Sequence, residues 1–180
     1  MDILFKSFPI GVPASAHKGG VQNLLDACTK SGQMPYFHAP DEAYINALIS
    51  KDYETVIAFK GKEIVAVGGA VPVEKLPVEM AGQLKTFLKA PALLAKAAFF
   101  DGAIVHPRLR QRGLGHEIAR RRCEALAKKG GYDYIFATAH LENIASVKVL
   151  EKCGFKPLKT MNFFSGQTPR TLYFVASVEC

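Results

Sequence analysis

Basic residues and glycines meet at one point of the chain, in the stretch VHPRLRQRGLGHEIARRRC at 105–123. The tripeptide at 110–112 stands directly before Gly113 and Gly115, and helical apolar spacing starts at Leu114. The first turn of a helix has N–H groups without intrahelical partners, and the helix dipole adds partial positive charge there. Because glycines have no side chain, a ligand can approach this backbone closely. The pattern is typical of a site for phosphate or diphosphate.

The spacing differs from two other phosphate-binding loops. No Lys-Ser/Thr pair follows Gly115, which excludes a Walker A loop. The third glycine of the dinucleotide fingerprint is missing, and the preceding strand lies late in the chain. A tight strand-to-helix turn with a solvated basic edge explains the same residues. The surrounding elements must therefore decide between an anion site and a turn without a ligand.

Length and charge limit the possible partners. The 180 residues predict one domain, 1–180, with 49% hydrophobic and 22% charged residues, as in an ordinary globular protein. A net charge of +7 fits an anionic partner: nucleic acid, a membrane surface or a phosphorylated small molecule. Six arginines lie between Arg108 and Arg122, and we interpret Arg120 to Arg122 as a solvated helix face. No aromatic RNA-reading motif or zinc finger is present.

The remaining composition suggests a cytoplasmic protein. No apolar run is long enough to cross a membrane, and the N-terminus lacks the pattern of a secretory signal. The four cysteines are scattered without metal-binding spacing, so we expect reduced thiols and no metal site.

The order of predicted elements indicates an α+β fold. A mixed, mainly antiparallel central sheet with one parallel strand pair is flanked by helices, and the helix after the glycines joins the parallel pair. We predict a helical insert at 74–97. Predicted strands cover 2–9, 55–60, 63–73, 97–107, 132–141, 155–165 and 171–178, and predicted helices cover 18–30, 39–50, 78–90, 114–129 and 143–153.

Two segments together resemble the acetyl-CoA-binding core of the GCN5-related N-acetyltransferase (GNAT) superfamily. VHPRLRQRGLGHEIA is similar to its V-x-P-x-x-R-x-x-G-x-G motif, and NIASVKVLEKCGF is similar to its N-x-x-A/S-x-x-x-Y-x-x-x-G-F motif. The resemblance covers 102–155 well and implies a GNAT-like fold in which the parallel strands splay apart. It implies acetyl-CoA as co-substrate and transfer of its acetyl group to a primary amine of a small molecule or protein by direct attack.

The resemblance also implies roles for individual residues toward the cofactor. The strand before the glycines hydrogen-bonds the pantetheine arm through its backbone, and the helix amides hold the diphosphate. Asn143 corresponds to the asparagine that contacts the arm near its thiol end, although asparagine is also a common helix cap. The residues implied are Ala103, Ile104, Val105, Arg110, Gln111, Arg112, Gly113, Leu114, Gly115, His116, Asn143 and Ser146.

The chain departs from the family pattern at one position. Many members have a tyrosine seven residues after the asparagine, as the acid that protonates the leaving thiolate. Here that position is Leu150, which cannot donate a proton. Three alternatives are open: another group protonates the thiolate, the thiolate leaves without protonation, or the protein binds acyl-CoA without turning it over.

Direct attack also needs a base, because only a neutral amine is nucleophilic. Asp101 is our first candidate, since period-two alternation places it on the strand face of Ala103 and Val105. His140, at the end of the next strand, is the second because of its intrinsic pKa. Glu42 and His38 rank below both.

Three functional hypotheses follow. The first is an N-acetyltransferase with a small-molecule or protein amine as acceptor. The second is a non-catalytic acyl-CoA-binding sensor of the same fold, and the third is a nucleic-acid-binding module that uses the arginine cluster. We favour the first and expect neither nucleic acid nor membrane as partner, whereas the final hairpin and the insert are places for homodimer formation.

Overall fold

A seven-stranded sheet forms the centre of the protein. The computed structural model describes residues 2–32, 41–88, 91–163 and 168–176. The strands are β1 (Leu4–Phe8), β2 (Glu54–Lys60), β3 (Glu63–Pro72), β4 (Ala97–Val105), β5 (Tyr134–His140), β6 (Lys156–Phe163) and β7 (Thr168–Ala176). Their order across the sheet is β1-β2-β3-β4-β5-β7-β6, and of these seven only β4 and β5 pair in parallel. The predicted mixed sheet with one parallel pair is confirmed.

The helices follow the predicted order, with one difference in the insert. Two of them begin at side-chain caps, since Asp41 accepts from Tyr44 N and Asn143 accepts from Ser146 N. The insert contains two helices, because Pro91 begins the second of them. The six helices are α1 (Lys18–Lys30), α2 (Glu42–Leu48), α3 (Val78–Leu88), α4 (Pro91–Ala95), α5 (Leu114–Lys129) and α6 (Ile144–Lys152).

Helices cover both faces of the sheet. On one face, α1, α2, α3 and α4 bury apolar side chains against the strands. On the other, α5 packs on β2, β3 and β4, and α6 packs beside α5. We call these the α1–α2 face and the α5–α6 face. Apolar burial on both faces fixes which strand side chains point to which helices.

The cysteine prediction is partly wrong. Cys123 is disulfide-bonded, whereas Cys28 and Cys153 are free and buried. Cys180 lies outside the described residues, as does the low-ranked base candidate His38. Within the described ranges, no helix combines the length and hydropathy of a bilayer span, and no group of three or more His, Cys, Asp or Glu side chains is placed to hold a metal ion.

Candidate functional site

The parallel strands part where the glycine-opened helix begins. Pairing between β4 and β5 runs from Ala97 with Tyr134 to Phe100 with Ala137. Beyond this point, β4 residues 101–105 pair only with β3, and β5 residues 138–140 pair only with β7. We call the space between these two segments the strand gap. A strand edge in such a gap presents backbone groups that need a partner.

Two residues of β4 direct their backbone groups into the strand gap. The N–H of His106 donates to the carbonyl of Val65 on β3 at 2.8 Å. In an antiparallel ladder these directions alternate along the strand, so Ile104 also faces β3. Ala103 and Val105 therefore face the gap. Of the three residues implied for the pantetheine arm, Ile104 is the one whose backbone is directed to the sheet.

Helix α5 begins with backbone donors that the protein does not use. Its first helical bond runs from Glu117 N to Gly113 O at 3.0 Å. The preceding amides of Leu114, Gly115 and His116 make no hydrogen bond within the described part of the chain. Gly113 has φ +80° and no side-chain cap replaces a ligand there. Three adjacent amides at the positive end of a 16-residue helix are therefore without protein partners in the described ranges at the place where the anion site is predicted.

The two glycines have different roles. An added Cβ at Gly113 would meet nothing within 4 Å, so only the positive φ, and not packing, requires glycine. An added Cβ at Gly115 would lie 3.6 Å from Val149 and 3.9 Å from Val105, which is ordinary contact. The space over Gly113 is open, and Gly115 lies where α5, α6 and β4 converge at the strand gap.

The basic residues before α5 do not all extend over the amides. Arg110 Nε donates to the carbonyl of Val105 at 3.3 Å, so this side chain folds back over the end of β4. Arg112 and Gln111 are exposed, and Gln111 has φ +61°, an uncommon conformation for a non-glycine residue. The exposed turn keeps positive charge beside the open space at Gly113.

Asn143 caps α6 and still has a donor available for a ligand. Its Oδ1 accepts from Ser146 N at 3.2 Å, which is the helix-cap role. An asparagine side chain also carries two N–H donors, which a cap does not use. Ser146 lies one turn into the helix and is half-buried.

A bulge in β4 overturns the predicted face of Asp101. Gly68 of β3 pairs with Ala103, but the next residue, Gly69, pairs with Asp101, so Gly102 is an extra residue. A Cβ on Gly68 would meet α5, whereas a Cβ on Gly69 would meet Leu48 and Tyr53. Asp101 therefore lies on the α1–α2 face and Ala103 on the α5–α6 face. The prediction that they share a face is wrong, because a bulge shifts the alternation by one residue.

Asp101 is held by two tyrosines, of which Tyr53 is buried and Tyr44 half-buried. Tyr53 donates its hydroxyl to Asp101 Oδ2 at 2.7 Å, and Tyr44 donates to the backbone carbonyl of Asp101 at 3.3 Å. Burial raises the pKa of the Asp101 carboxyl, and the Tyr53 hydrogen bond and the Arg122 charge oppose this shift. A carboxyl with a raised pKa at the edge of a gap is suited to proton transfer.

His140 lies on the same face as Asp101, on the other side of the strand gap. Phe136 on β5 packs in the core of the α1–α2 face, so two-residue alternation directs Thr138 and His140 there as well. His140 Nδ1 accepts from the N–H of Glu142 at 3.2 Å. This contact engages the lone pair of Nδ1, so that nitrogen already has a donor. The geometry favours Asp101.

The arginine cluster is not a continuous solvated surface. Arg120 pairs with Glu117 and Glu124, and Arg121 pairs with Glu117. Arg122 is 2% exposed, so the prediction of a solvated face is wrong for this residue. Its spacing of four from Ile118 and Leu126, both of which are buried, was the signal for burial.

Leu150 lies in the apolar core of the α5–α6 face. It is 6% exposed and packs in the same cluster as Phe100, Phe155 and Tyr173. Burial raises the pKa of the Tyr173 phenol. The side chain at the family's tyrosine position therefore contributes to packing and not to proton transfer.

Comparison with known proteins agrees with this arrangement. The family model "Acetyltransferase (GNAT) family" matches residues 21–155. The aminoglycoside acetyltransferase AAC(6')-Ib in complex with coenzyme A and kanamycin is 13% identical, covers 99% of this chain and 96% of its own, and has a TM-score of 0.71. NAA60 from Arabidopsis thaliana in complex with acetyl-CoA is 10% identical and has a TM-score of 0.69. The match covers 97% of this chain and 98% of the NAA60 chain.

A third similar structure is the ribosomal-protein-S18-alanine N-acetyltransferase from Escherichia coli. It is 11% identical, covers 97% of this chain and 94% of its own, and has a TM-score of 0.67. By sequence, no curated protein matches the chain. These structural similarities show the fold. The residues that the family model matches include both strands beside the strand gap and the glycine-opened helix. The chain belongs to the GNAT acetyltransferase family.

Proposed function

We propose that this protein is an acetyl-CoA-dependent N-acetyltransferase that acts on a primary amine. The observation that carries the proposal is the coincidence of two unused sets of backbone groups. The amides of Leu114, Gly115 and His116 meet the gap-facing groups of Ala103 and the N–H of Val105 at one place. A ligand with an anionic end and an amide-containing arm satisfies both sets.

The residues present fit coenzyme A. The open space over Gly113 accommodates a diphosphate, and the α5 amides, the helix dipole and the basic turn at 110–112 stabilise its charge. The gap edge of β4 pairs with the pantetheine amides as a further strand does. Asn143 lies at the start of α6, where its free amide donors reach toward the same arm.

The acceptor amine approaches from the α1–α2 face. Acetyl-CoA would supply an activated acetyl carbonyl when bound: the amine nitrogen would form the amide bond while the C–S bond breaks, and CoA would leave as its thiolate. Asp101 accepts the proton that the amine must lose, and Tyr53 orients the carboxylate through its hydrogen bond. The raised pKa of Asp101 makes this carboxylate a stronger base than an exposed aspartate.

A second candidate function is acyl-CoA binding without turnover. The observation that favours it is Leu150, a core residue where many family members have the acid for the leaving thiolate. Binding of nucleic acid is less well supported, because Arg120 and Arg121 are paired with glutamates and Arg122 is buried.

The test begins with the purified protein. Native mass spectrometry should show a retained coenzyme A mass, and a panel of amines should then release CoA from acetyl-CoA. Gly113→Asp places a carboxylate in the diphosphate space and should weaken CoA binding at least about 30-fold in calorimetry. Gly131→Asp is the matched control, since Gly131 also has positive φ, open space and a place at the other end of α5.

The outcomes separate the hypotheses. Release of CoA by any amine supports the enzyme, and tight CoA binding without release by any amine supports the sensor. Equal CoA affinity of Gly113→Asp and the wild type contradicts both.

A further inference from the structure

Arg122 holds the bulge of β4 from the α5–α6 face. Among the described residues it is the only arginine or lysine in the buried class. Its Nη1 donates to the carbonyl of Gly102 at 2.9 Å and to the carbonyl of Gly69. Its guanidinium carbon lies 3.9 Å from the centre of the Phe100 ring. One side chain therefore binds both strands at the point where the ladder shifts register.

The glycines around Arg122 make this approach possible. A Cβ at Gly68 would lie 2.6 Å from Ile118 and 3.2 Å from the Arg122 guanidinium carbon, so only glycine lets α5 come this close. Gly102, the extra residue of the bulge, has φ +72°. The local sequence of β3 and β4 is thus adapted to a buried guanidinium, which costs free energy to desolvate.

We propose that Arg122 is a positioning residue for acetyl transfer, because its bonds to the Gly69 and Gly102 carbonyls fix the bulge that turns Asp101 to the α1–α2 face and Ala103 to the strand gap. The proposal rests on the proposed function for its catalytic consequence. Its structural part, the control of Asp101 by Arg122, is independent of turnover.

The charge of Arg122 acts on Asp101 as well. On the α1–α2 face, Tyr53 bonds this carboxyl and Tyr44 bonds its backbone, and the Arg122 guanidinium acts on it electrostatically from the opposite face of the sheet. Cys153, which directly follows α6, lies near Arg122 and is a free thiol with a pKa raised by burial. The cation lowers the pKa of Asp101, so its removal should raise that pKa.

The experiment compares four variants of the full chain. Arg122→Met removes the donor and the charge, Arg122→Gln keeps a donor without charge, and Arg122→Lys keeps both. Arg121→Met is the control, because Arg121 is its half-buried neighbour and contacts Glu117 and Phe5. Carbon-13 NMR follows the titration of the Asp101 carboxyl, calorimetry gives the CoA affinity, and steady-state kinetics give kcat and KM.

We expect the Asp101 midpoint to rise by about half a pH unit or more in Arg122→Met and Arg122→Gln, and to stay near wild type in Arg122→Lys and Arg121→Met. kcat should fall about 10-fold or more in Arg122→Met and less in Arg122→Gln, which keeps a donor for the carbonyls, with CoA affinity within about 3-fold in both. If Arg122→Met does not fold, Arg122→Gln still gives the comparison of the Asp101 midpoint.

Two results would overturn the proposal. One is an Asp101 midpoint that is equal in Arg122→Gln and wild type. The other is a loss of kcat that only follows the folded fraction, with an unmoved pH profile. If the wild type binds CoA but acetylates no amine, the proposed function fails, and the NMR titration still decides whether Arg122 controls Asp101.

Discussion

The two sides of the strand gap are built from different parts of the chain. The proposed cofactor side consists mainly of backbone groups from one continuous segment, 103–116, and its geometry follows from a strand end, a glycine turn and a helix start. The acceptor side consists of side chains from separate segments, with Tyr44, Tyr53 and Asp101 brought together by packing. Cofactor binding and acetyl transfer at this site should therefore respond to different mutations.

The largest expected effect is on chemistry alone. Asp101→Asn removes the proposed base and should lower kcat by about 100-fold or more, while CoA affinity stays within about 3-fold. Asp133→Asn, an exposed aspartate paired with Lys96 at 3.5 Å, is the control and should keep kcat. An Asp101→Asn enzyme with wild-type kcat would break the division between the two sides.

A smaller effect is expected from the tyrosine that bonds the carboxylate. Tyr53 lowers the pKa of Asp101, so Tyr53→Phe should raise it and keep the base protonated to higher pH. The acidic limb of kcat/KM should move upward, and kcat near neutral pH should fall about 3- to 10-fold. Tyr44→Phe removes only the contact to the backbone carbonyl, so its limb should move less. If the acidic limb of kcat/KM lay at the same pH in Tyr53→Phe and in the wild type, Asp101 would not be the base.

A third prediction concerns stability away from both sides. Glu54 is 1% exposed, and its oxygens have no hydrogen-bond partner of good geometry among the described residues. Burial, opposed in part by the Ile10 amide and the Lys129 charge, raises its pKa to about 7. The folded state therefore keeps a proton on Glu54 that the unfolded chain loses at lower pH. The contribution of this proton to the free energy of unfolding is full below the pKa of the unfolded chain and is lost as pH rises through about 7.

Glu54→Gln should remove this loss. At about pH 8 it should raise the free energy of unfolding by about 1–3 kcal/mol, and CoA affinity should not change. Urea unfolding at several pH values measures this, with Glu63→Gln, an exposed carboxyl, as the control. A Glu54→Gln stability curve parallel to that of the wild type would show that Glu54 does not titrate in this range.

The smallest effect is expected at the second glycine. Gly115→Ala places a methyl group in ordinary contact with Val149 and Val105, so stability and CoA affinity should both stay near wild type. The contrast with Gly113→Asp, which adds a carboxylate in open space, sharpens the claim that the diphosphate lies over Gly113. Loss of binding in Gly115→Ala would place the ligand deeper, between α5 and α6.

The elements and the glycine-opened start of α5 were predictable because their signals are local. Apolar spacing gives α1 its observed bounds of Lys18–Lys30, and caps and glycines mark α5 and α6. The face of Asp101 was predicted wrongly, because alternation fails across the Gly102 bulge. Two signals for that region were present: adjacent glycines at 68–69 inside a strand, and the spacing of Arg122 on a buried helix face.

The acceptor side could not be predicted from local pattern. Tyr53 and Asp101 are 48 residues apart, and the bond between them depends on how a loop after α2 packs on a bulged strand. Neither tyrosine differs in its local sequence from a core aromatic residue. Contacts of this kind follow from tertiary packing.

The most direct test of the central claim is an NMR titration of the backbone amides with coenzyme A, with pantetheine as the phosphate-free comparison. We expect the cross-peaks of residues 113–116 to shift with coenzyme A and not with pantetheine. The cross-peaks of Ala103 and Val105 should shift with both ligands. Unmoved cross-peaks at 113–116 with saturating coenzyme A would contradict the proposed diphosphate site.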